Sequence, residues 1–184
     1  MADELNADLK LEIYKLVLKK YKDLISEKEA RSITEIRQRV SPYNEFIKKL
    51  KDRFLQDMAP YYYKNHFMTA TQRAIDYVRS IKTCEFSFTF WVEFKEMDEL
   101  KIGTAMDKAI FLAAIIRSFE SENVRVLVTK SGKPMVRFNW NDTSYLFLAD
   151  SGSLLVGDDA TQLLSNDPIG YSFNDLIYES YEDQ

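Results

Sequence analysis

The sequence has one cysteine, Cys84, and one histidine, His66, so few side chains can serve as nucleophile or proton carrier near neutral pH. Zinc fingers, iron–sulfur clusters and paired-thiol redox centres need several Cys or His ligands at close spacing and are excluded, as is an intrachain disulfide. No cofactor or metal is expected. Cys84 precedes by about twenty residues the helix whose N-terminal field would activate it, so it reads as a partly buried structural thiol. His66 lies in the aromatic run Tyr61-Tyr62-Tyr63-Lys64-Asn65-His66-Phe67, read as a connector in which a lone imidazole packs or faces solvent. Rings beside Lys64 could stack unpaired bases, yet one lysine is little positive charge, and packing is the preferred reading. Asp107 and Asp150 form a conceivable acid/base pair; Asp107 fits better on a first helical turn, where a carboxylate meets the positive helix end.

The elements that must position these residues follow from apolar periodicity. Leu5, Leu9, Ile13, Leu16, Val17, Tyr21 and Leu24 predict an amphipathic helix over residues 5–25. Ser26 with Glu29 reads as a capping box opening a second helix through Ile33, Ile36 and Val40. Ser41-Pro42 opens a third through Phe46, Ile47, Leu50 and Phe54, ending near Pro60, and residues 69–81 form a fourth. Past Cys84 the period changes to two: Phe86, Phe88, Phe90 and Val92 alternate with polar residues and Trp91, which predicts an extended segment. Residues 104–119 form a helix with an unusually apolar centre, which should be largely buried. Strands follow at 124–128, 135–140 and 145–148, separated by Ser131-Gly132-Lys133-Pro134 and Asn141-Asp142 turns. Residues 153–156 add a strand, 158–164 a short helix, and 179–184 a frayed tail. The fold class is α+β, with a helical region over 1–82 and a core over 83–184.

Within that core, Gly103-Thr104-Ala105-Met106-Asp107-Lys108-Ala109 opens the apolar helix and resembles the Gly-x-Cys-x-Asp/Glu-x-Ala nucleophile motif of the transglutaminase-like superfamily. Residues Ile110 to Ser118 and Glu122 to Val128 are similar to that family's core helix and first long strand, and Phe90-Trp91 to its tryptophan-bearing approach. The resemblance implies a cysteine nucleophile at position 105, a histidine base at Met135 or a near neighbour, and an orienting aspartate at Asp150. Ala105 and Met135 can neither attack a carbonyl nor accept a proton, so only Asp150 of the three persists. Trp91, Gly103 and Asp107 would border the cleft. The implied function is a non-catalytic binding or structural module, engaging a protein or peptide through the degenerate cleft or the helical region. Two alternatives stay open: a cysteine hydrolase or acyltransferase whose nucleophile is altered in this chain, and a nucleic-acid-binding adaptor.

Charge bears on the last of these. Twenty-five Lys and Arg against 29 Asp and Glu leave a net −4. The balance is positive over residues 1–80 and acidic over the remainder, which argues against nucleic acid as partner. Lys19-Lys20-Lys22 and Lys48-Lys49-Lys51-Arg53 are interleaved with acids and read as solvated helix faces. Asp3, Glu4 and Asp8 do not suit a secretory signal, and the longest apolar run, Ala109 to Ile116, is too short for a bilayer. The expectation is a cytoplasmic protein without membrane contact.

Overall fold

The computed structural model describes residues 32–85 and 91–181. The expected helix over 5–25, the Ser26 cap and the phenylalanines of the alternating segment lie outside the described residues.

Three helices come first: α1 (Ile33–Arg39), α2 (Glu45–Leu55) and α3 (Tyr63–Arg79). Each boundary has a local cause. Ser32 and Glu35 close a reciprocal capping box on α1. The start of α2 differs from the expected Ser41-Pro42, because Asn44 Oδ1 accepts from the Phe46 and Ile47 amides and caps the helix three residues later. The aromatic run is likewise not a connector, since α3 begins at Tyr63 and includes His66. His66 Nδ1 accepts the Tyr62 amide at 3.1 Å, satisfying a donor the helix leaves free. Tyr63 and Phe67, one turn apart, set their rings 5.3 and 5.1 Å from Trp140 of the sheet, so the run is packed as expected.

A two-residue parallel pair follows, β1 (Lys82–Thr83) with β2 (Ile102–Gly103), the helix α4 (Phe94–Leu100) lying between them in sequence. Next comes α5 (Ala105–Ser118), then β3 (Arg125–Thr129), β4 (Pro134–Trp140), β5 (Thr143–Leu148), β6 (Leu154–Val156), α6 (Asp158–Asn166), β7 (Ile169–Phe173) and β8 (Tyr178–Ser180). The last six strands form one antiparallel sheet, order β6-β5-β4-β3-β7-β8. The fold is α+β. The expected frayed tail is instead strand β8 up to Ser180, because Tyr178, Glu179 and Ser180 pair with Phe173, Ser172 and Tyr171.

The apolar character of α5 on every side has its reason in the layering. From Asp107 to Ser118 every residue is buried, since α1, α2 and α3 cover one side and β3 and β4 the other. One apolar cluster therefore runs from Val40 through Phe67, Phe111 and Phe138 to Phe173. A smaller cluster on the opposite sheet face joins Leu127, Met135 and Leu146 to Ala160 of α6.

Candidate functional site

The site begins where β2 runs into α5. Gly103 has no room for a side chain: a Cβ there would lie 2.9 Å from Met97 Cε. Thr104 then caps α5 with its hydroxyl accepting the Asp107 amide at 3.1 Å. Asp107 Oδ2 returns the bond to the Thr104 hydroxyl at 2.7 Å and its amide at 3.2 Å. Asp107 fills the place Glu or Gln takes in the usual capping box. It is fully buried, and that burial raises its pKa, while the bonds from Thr104 and the nearby charge of Arg39 pull it back.

A second chain of contacts joins this helix start to Asp150. Lys108, 3 % exposed, donates from Nζ to Thr83 Oγ1 at 2.7 Å, and the Thr83 hydroxyl donates to the Asp150 carbonyl at 3.1 Å. Burial lowers the Lys108 pKa, and the Asp150 charge opposes that. The Asp150 carboxylate accepts the Ser151 amide, which orients it beyond the end of β5. The β1–β2 pairing also carries Cys84 to the helix start, where its amide donates to the Gly103 carbonyl at 3.0 Å.

These groups surround a cavity of about 650 Å³. Thr104, Ala105 and Met106 form its base, with Thr83, Cys84 and Asp150 on one side. Trp91 and Ile36 form another wall, and Tyr171, Phe173 and Tyr178 of β7 and β8 a third. Trp91 is held by the Arg39 guanidinium 5.6 Å from its ring centre, and Arg39 also donates to the Val92 carbonyl. The Trp91 indole N–H is buried without a hydrogen-bond partner among the described residues.

Of the positions singled out from sequence, the fold brings Ala105, Trp91 and Asp150 to one cavity, with Gly103 and Asp107 behind its base. Met135 is not among them. On β4, Val136 and Phe138 face α5, so the two-residue period turns Met135 to the other face, into the cluster beneath α6. The residue in phase with Val136 at the start of β4 is Pro134, which has no titratable group either. Cys84 was read as remote from α5 and instead lines the cavity; a pairing of two residues is too short to announce itself. Thr83, Lys108, Tyr171, Phe173 and Tyr178 were missed. The alternation Ile169, Tyr171, Phe173 was the available signal.

Among the described residues no group of His, Cys, Asp and Glu could hold a metal ion, and no helix is long and apolar enough to cross a membrane. Compared with protein-family models, with curated proteins and with solved structures, the chain matches none.

The raised pKa of Asp107 has a consequence for stability. A carboxyl whose folded pKa exceeds its unfolded value supports the fold most fully below the ordinary carboxylate range, and that contribution is lost as pH rises through the raised value. Asp107→Asn is expected to remove this slope. Urea midpoints for both proteins between pH 3 and 8 check it: a gap that does not change with pH would show that the buried carboxyl keeps its ordinary pKa.

Proposed function

We propose that this chain is a non-catalytic, transglutaminase-like protein whose cleft at the start of α5 holds a peptide segment of a protein partner. The observation that carries the reading is the cavity of about 650 Å³ lined by Ala105, the position to which the resemblance assigns the family's nucleophile. Its walls are mainly apolar and aromatic, and they come from α1, the approach to α4, the start of α5 and the β7–β8 hairpin. Sites of this size and chemistry suit a ligand that leaves water for apolar contact and is oriented by a few polar groups. Ala105 supplies a methyl where attack would need a thiolate, and neither Met135 nor Pro134 can act as base.

The Trp91 indole N–H gives a direct reporter of occupancy. Titrating the labelled protein with a capped peptide such as Ac-Leu-Phe-Leu-NH2 should move the Trp91 indole signal together with the Ala105 and Met106 amides. Ala105→Leu, which narrows the base, should weaken binding about tenfold. Absence of any shift at millimolar peptide would refute a peptide-binding cleft.

Restoring the thiol tests the other half of the proposal. Ala105→Cys should leave turnover of amide substrates at background, because even a thiolate favoured by the start of α5 finds no group to carry a proton to the amine leaving group. A burst of acyl-enzyme in the single variant would show that a neighbouring group supplies the base.

A further inference from the structure

The cavity's charged lining residues among those described are Glu85 and Asp150; no Lys, Arg or His lines it. Four rings join these carboxylates. Tyr171 lies 6.3 Å from Phe173 and 6.1 Å from Tyr178, with planes within 20° and 29°, so the three rings make one tilted wall. Trp91 lines the same cavity with the aliphatic Ile33 and Ile36. Aromatic faces carry a negative quadrupole and attract a cation at van der Waals range, and the carboxylates add the same sign of field. An anionic group would meet both with repulsion. The buried cations beside the lining are already engaged: Lys108 donates to the Thr83 hydroxyl, and Arg39, over the Trp91 ring, donates to the Glu93 carboxylate and the Val92 carbonyl.

Resting on the peptide-binding reading, we infer that the segment taken by the cleft presents an alkylated ammonium, such as an N-methylated lysine side chain, among Trp91, Tyr171, Phe173 and Tyr178, facing Glu85 and Asp150. Alkylation is part of the inference. A bare ammonium is strongly hydrated and needs three acceptors, whereas an alkylated head sheds water at lower cost and offers an apolar surface to rings. The occupant is thus an apolar peptide with one bulky cationic head.

Three capped peptides of one length test this by calorimetry and by the Trp91 indole signal: Ac-Leu-Lys(Me3)-Leu-NH2, its isostere with carbon in place of the ammonium nitrogen, and Ac-Leu-Glu-Leu-NH2. The cationic peptide should bind about five- to thirtyfold tighter than the neutral isostere, the range that cation–π contact supplies. The glutamate peptide should bind weakest. In Glu85→Gln/Asp150→Asn, both exposed positions, the preference for the cationic over the neutral peptide should fall to about threefold; near-ultraviolet circular dichroism confirms the fold. Equal affinity for the cationic and neutral peptides, or tighter binding of the glutamate peptide, overturns the inference and leaves the peptide cleft standing. Failure of all three to bind at millimolar concentration overturns both.

Discussion

Removing residues 1–60 should leave a product that aggregates or stays molten, with no cooperative unfolding transition. The deletion takes away α1 and α2, and with them the buried side chains Val40, Ile47, Leu50, Phe54 and Met58. Their burial is worth about 1.5–3 kcal/mol for each larger residue, which together rivals the about 5–15 kcal/mol that a domain has in all. The loss is felt on both sides of the contact. Phe46 packs its ring 6.2 Å from that of Phe111, and Phe54 lies 6.3 Å from Phe119, so α5 and the residue that ends it would expose two phenylalanines that are now fully covered. A helix apolar on all sides has no face to turn to water. Gel filtration and calorimetry of the truncated chain check this, with deletion of residues 1–31 alone as the control that keeps α1 and α2. A monomeric truncated chain with a sharp calorimetric transition would make the helices an appendage and shift attention to them as the partner-binding element.

How much of this could be read in advance depended on whether a segment's neighbours are near in sequence. The helix over 104–119 and the strands at 124–128, 135–140 and 145–148 were legible, because each repeats its apolar residues at one period long enough to identify it. The start of α3 was not. The one strong cap residue of the run, Asn65, lies inside the helix, while the capping position is Tyr62, and what ends the connector is His66 reaching back four residues to the Tyr62 amide. The short helix α4 was hidden by the preceding alternation, and its opening rests on Glu93 and Glu96 closing a box around one turn. At the site, Ala105, Asp107 and Asp150 were located by resemblance, and the one position placed on the wrong sheet face, Met135, differs from Pro134 by a single step. In a strand one step exchanges the faces, so pattern matching without register cannot choose between them. Cys84 and Thr83 were out of reach for a different reason: they arrive at α5 through a parallel pair whose other strand is about twenty residues away in sequence, and two paired residues carry no periodicity.

Arg117→Met should destabilise the protein by about 3–5 kcal/mol, and the double variant Arg117→Met/Asp175→Leu should recover most of that loss. The Arg117 guanidinium faces the Asp175 carboxylate with two parallel bonds, 2.6 Å from Nε and 2.9 Å from an amino nitrogen, and both side chains are about nine-tenths buried. The pair joins the last turn of α5 to the turn between β7 and β8. Its third bond runs from Arg117 to the Ser121 carbonyl at 3.1 Å, which shapes the exit from α5. Removing the cation alone leaves a desolvated carboxylate whose nearest replacement is Arg37, itself already donating to the Asn174 and Asp175 carbonyls. Removing both charges takes away the attraction and the desolvation penalty together, which is why the double variant should be far less damaged than the single one. Chemical denaturation of the two singles and the double closes the cycle, and the coupling energy should exceed about 2 kcal/mol. Additive losses would mean that the pair contributes only packing. Because the same turn leads into Tyr178 of the aromatic wall, Arg117→Met should also weaken peptide binding, whereas a loss of stability with unchanged affinity would confine the pair's role to holding α5 against the sheet.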